Sequence, residues 1–169
     1  MKGDQTPATV IVVGVQQDQT HTVVDVAAQF AHRFGAALVC VTVDPSLLSA
    51  GTRSDGSEII EAIDPDVADS TPLGFPDANR TALERAARRH GVAVEVFTRV
   101  GDPARALAGV AEERDAVMIV VGTQTGRRRV AEFFNGSVAA RLTHQQHRPV
   151  LVVPMEPVGF DDPLPWDAS

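Results

Sequence analysis

Short apolar, β-branched runs alternate along this chain with longer stretches in which apolar residues recur every third or fourth position. Ala8 to Val13, Ala-Thr-Val-Ile-Val-Val, has the composition of a strand buried on both faces of a parallel sheet. From Thr20 to Phe34 the residues Val23, Val24, Ala27, Phe30, Ala31 and Phe34 fall at helical spacing, and Gly35 supplies the stop. Ala37 to Val43 predicts a second strand, ended by Asp44-Pro45. Further on, Asp77 to His90 predicts a helix, Val92 to Val100 an alternating strand, and Pro103 to Glu113 a helix capped by Asp102. Ala116 to Val121, Ser137 to Gln146 and Pro149 to Val153 then read as strand, helix and strand.

This alternation predicts a doubly wound α/β fold. Each crossover must return over a parallel sheet, and helices come to cover both faces. One domain is expected from 8 to 154, with an N-terminal segment at 1–7 and a tail at 155–169 rich in Pro and Asp. Residues Pro45 to Pro76 form a long excursion in which only Glu58 to Ile63 looks locally helical. An excursion of that length in a compact domain is a functional loop or a disordered one. Trp166 in the tail either docks on a partner or its own domain, or sits in a disordered terminus.

The chemistry concentrates after the fourth of these strands. Gly122-Thr-Gln-Thr-Gly126 is followed, nine residues later, by Gly136-Ser137 at the expected start of a helix. Strand, glycine loop and helix start together suit phosphate, because glycines bring main-chain N–H groups close to an anion and the helix end adds its own donors. In such folds ligands lie beyond the carboxyl ends of the strands, where the winding reverses, and Gly14 and Gly122 both lie there. Nucleotide binding is the leading expectation.

Composition narrows the options. The formal charge is −7, from 22 acidic and 15 basic residues, which opposes a broad nucleic-acid footprint. Lys2 is the single lysine, so neither a P-loop lysine nor a Schiff base is available. Cys40 is the single cysteine and reads as core filler. His144 and His147 have a ligand-like spacing but no Cys or acidic companions, and no metal site is expected there. No run is long and apolar enough to span a membrane, and the start of the chain lacks a signal-peptide core, so a cytoplasmic protein with no membrane partner is expected. Arg127, Arg128 and Arg129 either screen a polyphosphate or form a solvated charge run.

Val10-Ile-Val-Val-Gly14, the spacing from Gly126 to Gly136-Ser137, and His147-Arg-Pro-Val-Leu-Val-Val-Pro154 together resemble the universal stress protein family, over most of residues 8 to 154. The resemblance implies a Rossmann-like, five-stranded parallel sheet in the order 3-2-1-4-5, with strands one and four side by side. Many members bind ATP or AMP through Gly-x2-Gly-x9-Gly-Ser/Thr. That would put Gly126, Gly136 and Ser137 at the phosphates and Gly122 on the ribose side, with Thr123, Arg127 and Val138 also in the nucleotide site. Gly14, Val15 and Gln16 would border the site from strand one, and the backbone of Thr42 and Val43 would meet the adenine edge. Mg²⁺ accompanying ATP would be held through phosphate oxygens and water, near the hydroxyls of Thr123 or Ser137.

Two departures stand out. Gly122 and Gly126 are separated by three residues rather than two. Gln16 stands where nucleotide-binding members usually carry Asp; its amide can bond a hydroxyl but brings no charge. The resemblance also implies a homodimer through the last strand, Val150 to Val153. The reading is therefore a stress-response regulatory protein that binds an adenine nucleotide and is not an enzyme. The alternatives are a nucleotide-free dimeric interaction protein of the same fold and a weak ATPase.

Overall fold

The computed structural model describes residues 9–16, 20–56, 58–64, 74–123, 138–155, 157 and 159–162. In chain order these form β1 (Val10–Gly14), α1 (Thr20–Phe34), β2 (Ala37–Asp44), β3 (Leu47–Thr52), β4 (Glu58–Ala62), α2 (Asp77–Arg89), β5 (Val94–Val100), α3 (Pro103–Glu113), β6 (Met118–Gly122), α4 (Val138–Gln145) and β7 (Val150–Val153). Among the described residues no helix is long and apolar enough to cross a membrane.

The main sheet has five parallel strands in the order β5-β2-β1-β6-β7, which is 3-2-1-4-5 when only its own strands are counted. Alternation along the strands sorts the core into two layers. Ile11, Val13, Leu38, Cys40 and Val120 face α1 and α2, where Val23, Val24, Ala27, Ala31 and Leu83 cover them. Val12, Val39, Val41, Ile119 and Val121 face the opposite way, against Ala104, Leu107, Val110 and Ala111 of α3 and Leu142 of α4. Cys40 is core filler, and burial alone pushes its thiol up to about 12. Chain leaving β1 turns to the α1 face and chain leaving β6 turns to the α4 face. The winding therefore reverses between β1 and β6.

The excursion differs from the sequence reading. Its first part is an antiparallel hairpin, β3 with β4, paired from Leu47↔Ala62 to Thr52↔Glu58. Glu58 to Ile63 is thus extended rather than helical: Ile59 and Ile60 favour the pleated surface, and cross-strand bonds replace those of an isolated short helix. Gly56, at φ +85°, supplies the left-handed residue of the turn, and its N–H donates to Arg53 O. The root of the hairpin is fixed where β2 and β5 end. Ile63 N–H donates to Ser46 O, Gly101 N–H donates to Asp44 O, and Leu47 is buried. From Leu48 to Gly56 every residue is exposed.

The N-terminal edge of the sheet is held by Arg148. Its side chain is 9 % exposed, Nε donates to Ala116 O at 2.7 Å, and Nη1 reaches Glu112 at 2.6 Å, which joins the start of β7 to the turn before β6. Asp102 caps α3 as the sequence predicts, its Oδ1 accepting from Arg105 N–H at 2.9 Å.

Candidate functional site

The candidate crevice lies at the carboxyl ends of β1, β2 and β6. The β1–β2 ladder ends at Gly14↔Val41, with one further bond, Val15 N–H to Val41 O at 2.9 Å. Val15 is buried by that continuation, and Gln16, the next residue, is exposed. β2 runs on past this point as Thr42, Val43 and Asp44, still paired with β5. Peptide directions alternate along a strand, so Thr42 and Asp44 turn toward β5, while Val41 and Val43 turn toward β1. The Asp44 carbonyl follows this rule by accepting from Gly101 N–H. Beyond the end of β1, the N–H and C=O of Val43 therefore point toward the crevice with no strand partner on that side among the described residues.

On the other side, the end of β6 is tied to β7. Gly122 pairs with Val153, Thr123 N–H donates to Val153 O at 2.9 Å, and Thr123 Oγ1 accepts from Met155 N–H at 2.9 Å. That leaves the Thr123 O–H free to donate. Both strand-end glycines have packing reasons. A Cβ on Gly14 would lie 3.0 Å from Leu107 Cδ1 and 3.3 Å from Val121 Cγ1. On Gly122 it would lie 2.8 Å from Val23 Cγ2 and 3.0 Å from Met155 Sδ. Val138 opens α4 and packs, half-buried, on the layer of α3. The structure thus gathers Gly14, Val15, Gln16, Thr42, Val43, Gly122 and Thr123 along one edge of the sheet. Gly126, Arg127, Gly136 and Ser137 lie outside the described residues.

Two acidic residues near this edge have contacts that the sequence reading did not anticipate. Asp44 is 8 % exposed, and its Oδ1 accepts from Ser46 N–H at 3.0 Å and Ser46 Oγ at 2.5 Å, closing the corner from β2 into the hairpin. The Asp-Pro-Ser order was the available signal, since Asp side chains close such turns. Asp102 also binds Arg141 of α4 through its Oδ2. Burial pushes its carboxyl up, but the Arg105 N–H and the Arg141 guanidinium outweigh that and hold it below the ordinary range. The N-terminal turns of α3 and α4 are joined through this one side chain.

Comparison with known proteins agrees with this fold. The profile of the universal stress protein family matches residues 8–154. A universal stress protein solved in complex with cAMP is 25% identical, with a TM-score of 0.61, over 89% of this chain and 100% of that one. A Burkholderia pseudomallei protein of the same family is 29% identical, with a TM-score of 0.52, over 88% and 98%. An Archaeoglobus fulgidus universal stress protein in complex with dAMP shares the fold at 21% identity and a TM-score of 0.57, over 87% and 98%. No curated protein is matched by the sequence.

Proposed function

The chain belongs to the universal stress protein family, and from that premise we propose that it is a regulatory protein that binds an adenine nucleotide across the carboxyl ends of β1, β2 and β6. The observation that carries the reading is Val43. Its N–H and C=O project past the end of β1, and adenine presents an amino donor beside ring-nitrogen acceptors, so one residue's peptide groups satisfy one edge of the base. Gln16 and Thr123 would bond ribose hydroxyls, and Gly126, Gly136 and Ser137 with the α4 N-terminus would take the phosphates. The cAMP and dAMP bound by two similar proteins support the adenine class. ATP or AMP fits the same contacts, with Mg²⁺ held by phosphate oxygens. The protein acts in the cytoplasm as a homodimer joined through β7.

Calorimetric titration of the nucleotide-stripped protein with ATP, AMP and cAMP, with and without Mg²⁺, tests the assignment beside a Gly136→Val control. Binding by the parent that is lost in the control is the expected result. Absence of binding at millimolar nucleotide would reject it. One observation favours the second reading, a nucleotide-free interaction protein: packing alone accounts for Gly14 and Gly122, so their presence does not require a ligand. A weak ATPase has less support, because no general base emerges among the described crevice residues. Steady ATP turnover abolished by Ser137→Ala would revive it.

A further inference from the structure

At three seams between elements, among the described residues, an arginine meets a carboxylate that is not shared with a second arginine. Arg89 of α2 meets Asp25 of α1, Arg99 of β5 meets Glu113 of α3, Arg114 meets Glu95, and Arg148 meets Glu112. The seam between α3 and α4 departs from that balance. Arg105 and Arg141 both border it, and Asp102 is the carboxylate they share.

Both oxygens of that carboxylate are occupied. Oδ1 takes the Arg105 main-chain N–H and Oδ2 takes the Arg141 guanidinium. The Arg105 guanidinium has no ion pair or hydrogen bond among the described residues, and Arg141 has used one of its donors. Gln145, one helical turn beyond Arg141, adds an exposed amide. Between these side chains runs a groove of about 530 Å³, lined by Ala104, Arg105 and Ala108 of α3 and by Arg141 and Gln145 of α4. Ala104 is buried and Ala108 half-buried, so the alanines form an apolar floor beneath a rim rich in donors.

Among the described residues the rim has donors in excess and a net positive charge, in a chain of charge −7, and calls for an anionic acceptor. Guanidinium groups are matched to the oxygens of phosphate, which they bind by charge-assisted, paired hydrogen bonds. The volume falls within the range of small-molecule sites, and the alanine floor suits an apolar substituent. We propose that the α3–α4 groove binds a small phosphomonoester, its phosphate held between Arg105 and Arg141 and its organic part laid over Ala104 and Ala108. Asp102 acts as a positioning residue that holds Arg141 at the groove. None of the five lining residues is among those assigned to the nucleotide, but Arg141 lies in the first turn of α4, so the groove adjoins the proposed phosphate site and the test must separate the two.

Amide-resolved NMR titration of the full chain tests it, using phenyl phosphate in one series and inorganic phosphate in another. Saturable shifts are expected at Ala104, Arg105, Ala108, Arg141 and Gln145, with phenyl phosphate binding more tightly than the free ion. Arg105→Gln, which removes an exposed guanidinium with no hydrogen bond or ion pair among the described residues, should weaken both by about tenfold. Unchanged affinity in that variant, or shifts confined to Val15, Val43 and Thr123, would overturn the groove assignment. Equal affinity for the two probes would overturn the phosphomonoester class. Repeating the series in Gly136→Val separates the sites: the groove shifts should persist there even when nucleotide binding is lost, and their loss would count against the proposal.

Discussion

Glycine at a strand end answers to two demands that look identical in a sequence: room for a ligand and room for a neighbouring side chain. At Gly122 the second is severe. An added methyl would lie 2.8 Å from Val23 Cγ2, on a buried and stiff β-branched side chain, whereas at Gly14 the nearest atom is the end of flexible Leu107 at 3.0 Å. Gly122→Ala should therefore destabilise by about 1–3 kcal/mol, with Gly14→Ala costing less. Urea unfolding of the two variants checks the order, and a larger loss at Gly14 would contradict it. Residue chemistry was legible where partners are near in the chain, as with Asp102 capping Arg105 three positions on. It was not legible where they are distant: Asp102 and Arg141 are 39 residues apart, and only the folded sheet brings their helices together.

At the scale of elements, α1 and α2 are joined by a cluster on Asp25, which accepts from His90 Nε2 at 3.0 Å, Arg89 Nη2 at 3.0 Å and Gln29 at 3.3 Å. The bond from His90, followed by those from Arg89 and Gln29, outweighs burial and lowers the Asp25 carboxyl below its ordinary value of 3.8. A lowered carboxyl stabilises the fold above its unfolded value and loses that contribution as pH falls through the lowered one. The gain is thus complete at neutral pH, begins to shrink once pH falls to about 4, and is gone only below the lowered value. Asp25 is 36% exposed, so screening keeps the gain under about 1 kcal/mol. Asp25→Asn should lower the melting temperature slightly at pH 7, and by progressively less as pH falls through the lowered carboxyl value; a loss that stays the same from pH 7 into strong acid would exclude the electrostatic origin. Most elements could be read from periodicity because each helix stripe and strand run reports its own burial. Glu58 to Ile63 could not, since its strand exists only through pairing with Leu47 to Thr52.

Across the whole molecule the two borders of the sheet are unlike. β5 carries Glu95 and Arg99, each engaged with a charged partner, whereas β7 is Val-Leu-Val-Val and leaves Val152 40% exposed. Charge on a border strand discourages pairing, and its absence permits it. If β7 joins two copies, Val152→Arg should convert dimer to monomer in sedimentation at micromolar concentration, with the fold retained. A parent protein that sediments as monomer would reject the interface. Alternation of strand and helix disclosed the class of fold, but the order of strands came from family likeness, because periodicity does not say which strands are neighbours. That order has a consequence for synthesis. β1 is followed directly by α1 and β2 and pairs with β2 as soon as that strand is made, but its other neighbour is β6, with Ile11 beside Met118. Until β6 has been translated, the central strand presents an unfinished border to its surroundings, and a nascent chain stalled before β6 is a natural client for chaperones.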